Sequence, residues 1–161
     1  MLYLKTYFHK NIKTFKMNPK IEIKVPHTDE EILSCWEALS LLRPHLKLKE
    51  FVRQIKSMQE EGYTLLYVSD GTHTFSVAGY RVYSKLYCGK MLYLDDLSTL
   101  ETSRGKGYAS LLLNYLQEVA IKENCDSFHL DSGPTRTTAH KLYFNEGFTI
   151  SSFHFSKKIN L

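Results

Sequence analysis

The chain has 161 residues, 43% of them apolar and 24% charged, with 21 lysines and arginines against 17 aspartates and glutamates. Lys5, Lys10, Lys13 and Lys16 carry the whole +4 surplus, and residues 17–161 balance at 17 basic and 17 acidic side chains, which argues against a nucleic-acid-binding domain. The longest run free of Asp, Glu, Lys and Arg, Gly107–Gln117, has 11 residues, well short of the roughly 18 expected of a membrane span.

In chain order, Leu4, Phe8, Ile12 and Phe15 recur at helical spacing, with Lys5, Lys13 and Lys16 on the other side. A basic amphipathic helix of this kind suits a membrane surface or a targeting role. The competing reading is a flexible extension, because short isolated helices are marginal in water. Residues 1–17 are therefore set apart as a basic extension, and 18–161 are expected to form one domain. Ile21, Ile23 and Val25 alternate with charged residues, as in a half-buried strand. Thr28-Asp-Glu-Glu31 has the pattern of a capping box, and Ile32, Leu33, Trp36 and Leu39 follow on one helical face. A second helix carries Leu48, Phe51, Val52, Ile55 and Met58 and stops at Gly62.

Three strand-like runs come next, Tyr63–Ser69, Thr74–Tyr83 and Met91–Thr99, with turn residues at Asp70-Gly71 and Cys88-Gly89. They predict an antiparallel meander. The period then changes: Ala109, Leu112, Leu113, Leu116, Val119 and Ala120 describe a third amphipathic helix. Ser127–Asp131 is a short strand, parallel to the one before that helix. Ala139, Leu142 and Tyr143 mark a fourth helix ending near Gly147, and Phe148, Ile150, Phe153 and Phe155 suggest one or two final strands. The expected fold is mixed α/β: one central mixed sheet of six to seven strands flanked by about four helices. Cys35, Cys88 and Cys125 are odd in number and lack a CxxC pair, so a reduced, cytoplasmic setting is expected rather than disulfides or zinc.

The segment Thr102-Ser-Arg-Gly-Lys-Gly-Tyr-Ala109 lies between a strand and a strong helix. Gly105 and Gly107 allow a tight turn and close backbone approach to a ligand. The first N–H groups of a helix have no internal acceptors, and the helix dipole adds partial positive charge. Arg104 and Lys106 add to that field, so the segment suits a pyrophosphate. Two other phosphate-binding patterns fit less well. A Walker loop needs Ser or Thr after its lysine, where Gly107 stands, and a dinucleotide fingerprint needs a third glycine at Ser110.

Arg104-Gly-Lys-Gly-Tyr-Ala109 resembles the Gln/Arg-x-x-Gly-x-Gly/Ala signature of the GNAT superfamily of N-acetyltransferases. Ala139-His-Lys-Leu-Tyr143-Phe-Asn-Glu-Gly147-Phe148 is similar to that superfamily's second landmark, and the order of elements agrees from Ile21 onward. The resemblance implies an acetyltransferase using acetyl-CoA as co-substrate and no metal, with Arg104, Gly105, Lys106, Gly107, Tyr108 and Ala109 at the pyrophosphate. It also implies that Leu97, Ser98 and Thr99 pair with the pantetheine and direct an N–H at the thioester oxygen, and that Tyr143 protonates the leaving thiolate.

The base is read from the residues. Asp95 and Asp96 are adjacent on one strand, so alternation sends them to opposite faces, and Asp95 is preferred. Together with Glu101 they would suit a cationic amine, either a small molecule or a peptide lysine. His129 and Asp131 share a face and are expected to form a satisfied His–Asp pair, with a place in the acceptor pocket as the other option. Arg136 stands where many members of the superfamily have Asn, and no role is carried over to it; His140 is expected to be a solvated helix residue. The overall expectation is direct acetyl transfer to a primary amine, with a catalytically weak acyl-CoA-binding module as the alternative and a homodimer left open.

Overall fold

The computed structural model describes residues 21–159, so the basic segment at 1–16 lies outside the described residues. The chain runs β1 (Glu22–Lys24), α1 (Asp29–Ser34), α2 (Trp36–Leu42), α3 (Leu48–Glu60), β2 (Thr64–Ser69), β3 (Thr74–Lys85), β4 (Gly89–Thr99), α4 (Tyr108–Lys122), β5 (Ser127–Leu130) and α5 (Thr137–Asn145). A 3₁₀ turn over Glu101–Ser103 leads from β4 toward α4. The capping box at α1 forms as expected: the Glu31 N–H donates to Thr28 Oγ1 at 3.2 Å, and the Thr28 N–H donates to Glu31 Oε2 at 3.2 Å. Those backbone donors, with His27 N–H at 2.7 Å, hold the Glu31 carboxyl below its ordinary pKa. The first expected helix divides in two at Cys35, whose N–H closes a tighter i→i−3 turn on Ile32, and the described residues form five helices.

The sheet has the order β1-β2-β3-β4-β5. The first four strands are antiparallel neighbours, and β5 runs parallel to β4 after the α4 crossover. Alternation along the strands supplies two cores. Leu65, Tyr67 and Val77 face α1–α3, where Leu39, Phe51 and Ile55 complete a buried cluster. Leu66, Val68, Ala78, Leu92 and Leu94 face α4, which inserts Leu112, Leu113 and Leu116. Each of these three leucines is at most 2% exposed, and such burial stabilises a fold by about 1.5–3 kcal/mol per side chain. Helix α4 starts where the sequence pattern placed it.

The expected final strands do not form. The described residues give five strands rather than six or seven, and residues 149–159 have no regular structure. Ile150, Phe153 and Phe155 are 75%, 84% and 90% exposed. Alternation of apolar residues is only a local preference, whereas a strand exists when its N–H and C=O groups meet a neighbour. No helix among the described residues is long and apolar enough to cross a membrane.

Candidate active site

The site begins with a mismatch in strand length. The parallel ladder pairs Met91 with Ser127 through to Leu94 with Leu130, and there β5 ends. Strand β4 continues to Thr99, so the β5-facing edge of residues 95–99 has no strand partner. A cleft opens at this divergence, bordered by Leu94, Asp95 and Leu97 on one side and by His129, Ser132 and Tyr143 on the other. An unpaired strand edge of this sort can accept an extended, amide-bearing ligand as an added strand.

At the same point β4 carries a bulge. Gly79 of β3 pairs with Asp96 and the next residue, Tyr80, pairs with Leu94, which leaves Asp95 as the extra residue. Leu94 and Leu97, three positions apart, therefore both pack into the α4-side core. Asp95 and Asp96 instead border one cavity together with Tyr63 and Arg43, on the α2–α3 side. The expectation that these acids point to opposite faces is corrected, while of the two only Asp95 also borders the cleft. Alternation holds only in an unbroken ladder, and the bulge suspends it here.

The two carboxylates differ in their bonding. Asp96 is 8% exposed and both its oxygens are engaged, Oδ1 by Arg43 Nε at 2.8 Å and Oδ2 by the Tyr63 hydroxyl at 3.0 Å. Asp95 accepts from Arg81 Nη1 at 2.9 Å through Oδ2, and no described residue engages its Oδ1. Burial raises the Asp95 pKa, an effect reinforced by the nearby Asp96 charge and opposed by Arg81 and Arg43. Tyr63 is itself buried, and desolvation together with the Asp96 charge holds its hydroxyl protonated, as its donor role requires. Gly79 makes room for this arrangement: a Cβ there would lie 1.8 Å from the Tyr63 hydroxyl oxygen.

Tyr143 is half-buried on α5 and borders the cleft. The residues after it form a helix stop. Gly147 has φ +86°, its N–H donates to the Phe144 carbonyl at 3.1 Å, and the Phe148 N–H donates to the Tyr143 carbonyl at 2.9 Å. The Tyr143 and Phe148 rings meet edge to face at 6.0 Å. This is a Schellman stop with its apolar contact, and it explains physically why a Tyr four residues before Gly-Phe is held in a set place. Burial raises the Tyr143 pKa, while the Arg136 charge works in the other direction.

The loop before α4 turns at Gly105 and Gly107, with φ of +75° and +84°. Leu111 N–H closes the first helical turn on the Gly107 carbonyl at 2.9 Å, and Arg104 N–H is used on the Glu101 carbonyl at 3.3 Å. Among the described residues, the N–H groups of 105–110 have no protein acceptor. A Cβ at Gly105 would meet nothing within 4 Å, so this donor cradle is open. It has the chemistry to hold phosphate oxygens, as the sequence suggested, with Arg104 N–H the exception.

Other expectations need correction. His129 Nε2 lies 2.9 Å from Ser127 Oγ, whereas Asp131 accepts from the Tyr93 hydroxyl and pairs with His154 at 2.8 Å. No His129–Asp131 pair forms, because both neighbours find closer partners. His140 is half-buried at the cleft wall rather than fully solvated. Asp95, Asp96 and Glu101 do not stand as bare charges: each pairs with an arginine, Arg81, Arg43 and Arg104 respectively, the last pair being exposed. Arg43, Tyr63 and Arg81 went unnoticed in the sequence. A signal was present in Gly79, a glycine inside a strand, which marks a bulge or a close approach.

A family model described as the acetyltransferase (GNAT) family matches residues 29–148. The uncharacterized N-acetyltransferase YhdJ of Bacillus subtilis (strain 168) is 30% identical over 141 residues, which make up 86% of this chain and 99% of that protein. A transcriptional regulator from Bacillus halodurans C-125 superposes with a TM-score of 0.76 at 18% identity, over 86% of this chain and 99% of that one. The structure of AAC(6′)-Iy in complex with the bisubstrate analogue CoA-S-monomethyl-acetylneamine superposes with a TM-score of 0.74 at 15% identity, over 88% of this chain and 99% of that one.

Proposed function

The chain belongs to the acetyltransferase (GNAT) family and is an acyltransferase, and from that premise we propose that it moves an acetyl group from acetyl-CoA directly to a primary amine. The carrying observation is that the open edge of β4, Asp95 and Tyr143 border one cleft.

In this reading the free N–H groups of 105–110 hold the pyrophosphate, with Lys106 and Arg104 adding positive field. Leu97, Ser98 and Thr99 pair with the pantetheine through the edge that β5 leaves open, and an N–H of this stretch donates to the thioester oxygen as negative charge builds there. Asp95 is the base. It keeps one carboxylate oxygen unengaged, and its raised pKa increases its affinity for the amine proton, whereas Asp96 has both oxygens committed. As the carbon–sulfur bond breaks, Tyr143 supplies a proton to the sulfur on which negative charge develops; burial raises the phenol's pKa and so keeps it protonated until that moment. The free cysteines agree with a cytoplasmic setting.

Tyr143→Phe tests the assignment. The substitution removes the proton donor and keeps the ring that packs on Phe148. Release of CoA in the presence of amines should slow by about 10²–10⁴-fold, the usual worth of a general acid. Acetyl-CoA affinity, measured by calorimetry, should stay near that of the parent. Unchanged turnover would show that another group protonates the thiolate.

A further inference from the structure

The cavity beside the cleft carries information about the acceptor amine. It measures about 180 Å³; Leu46, Phe51, Ile55 and Met58 supply most of its apolar wall, and polar groups complete its border, with His45 and Gln54 beside Arg43 and the two aspartates. Arg43 and Asp95 also border the cleft, so cleft and cavity meet at these two residues. An apolar cavity of about 150 Å³ is known to hold a benzene ring, so this one has room for a branched aliphatic or ring-sized group.

The charge at that junction is balanced. Asp95 and Asp96 face Arg81 and Arg43, two acids against two bases. Each carboxylate already has a guanidinium partner, so the junction attracts a polycation less than two unpaired aspartates would. Arg43 also has donor capacity to spare. Nε is used on Asp96 and Nη2 on the Asp95 carbonyl at 2.9 Å, and no described residue accepts from Nη1. Two bonds hold the guanidinium in place while its side chain remains 43% exposed. A guanidinium so positioned is suited to a carboxylate, which takes N–H donors in a fork geometry.

We propose that the acceptor is an amine carrying a neighbouring carboxylate and an apolar side chain, an apolar α-amino acid being the simplest case. The carboxylate takes Arg43, the amine lies beside Asp95, and the side chain fills the cavity. Proton and acetyl transfer are those described above, on which this inference rests. The amine forms the new bond to the acetyl carbon, its proton goes to Asp95, and the thiolate leaves as CoA.

The experiment compares L-leucine and L-phenylalanine with isoamylamine and phenethylamine, the same molecules without the carboxylate, and with spermidine and kanamycin, in a CoA-release assay on the full chain. The amino acids should exceed their decarboxylated counterparts in kcat/KM by about 10- to 100-fold, as expected for a charge-assisted hydrogen bond of roughly 1.5–3 kcal/mol. In Arg43→Gln that ratio should collapse toward one, and in Arg43→Lys it should recover in part. A purely structural Arg43 would slow all amines alike and leave the ratio intact, which overturns the proposal. Preference for spermidine, kanamycin or the decarboxylated amines by the parent protein overturns it without recourse to any variant, while leaving acetyl transfer to amines standing. Acetyl-CoA binding with no transfer to any of the six amines overturns this proposal, and transfer to a lysine peptide in the same assay then separates its failure from failure of the amine-acetylation reading.

Discussion

Replacing Gly79 with alanine places a methyl carbon where the Tyr63 side chain already lies, 1.8 Å from its hydroxyl oxygen and 2.2 Å from Cζ. Tyr63 is 2% exposed, its hydroxyl is bonded to Asp96, and Arg81 lies over its ring at 5.4 Å. The ring cannot yield without giving up the bond to the carboxylate. Two costs combine. Overpacking a core costs about 1–3 kcal/mol, and losing a hydrogen bond to a charged group costs about 1.5–3 kcal/mol. The sum is about 2.5–6 kcal/mol, and at roughly 2–4 °C per kcal/mol for a chain of this size Tm should fall by about 5–24 °C. Thermal unfolding of Gly79→Ala measures this directly. The same substitution in a Tyr63→Val background should cost less than about 1 kcal/mol, since the clashing atoms are gone. A Tm within about 2 °C of the parent, or an equal loss in both backgrounds, would refute the reasoning that glycine is needed there to seat Tyr63 against Asp96.

Further outcomes follow from the same geometry. Burial raises the Asp95 pKa, so kcat should fall with acidity at a higher pH than an exposed aspartate would allow, and Asp95→Asn should remove that limb along with most of the activity. Arg81 lowers the Asp95 pKa, so Arg81→Gln should move the acid limb of the kcat profile to higher pH; a shift to lower pH would contradict the pairing. Gly105→Ala meets no atom within 4 Å but must hold φ at +75°, a strain of about 1–2 kcal/mol, so calorimetry should show weaker acetyl-CoA binding without a steric clash. Leu116→Ala, fully buried on α4, should lower stability in urea by about 2–5 kcal/mol while KM for acetyl-CoA changes little.

What could be read from the sequence was local or periodic. The capping box at Thr28, the apolar face of α4, the paired glycines before it and the Gly147 stop after Tyr143 all depend on interactions within a few residues, and all stand where the pattern put them. The donor cradle was legible for the same reason: glycines, a helix start and basic residues lie consecutively in the chain. The tertiary structure decided what depends on distant partners. Arg43 reaches Asp96 across 53 positions, and Tyr63 reaches it across 33. Whether Asp95 and Asp96 share a face depends on their register against Gly79, which no periodicity within β4 encodes. Final strands were inferred from Phe153 and Phe155, yet alternation cannot provide the neighbour that a strand requires. Charge shows the same division. The location of the surplus in residues 1–16 is plain arithmetic on the sequence, whereas the charge balance around Asp95 and Asp96 emerged only when folding brought Arg43 and Arg81 to the two aspartates.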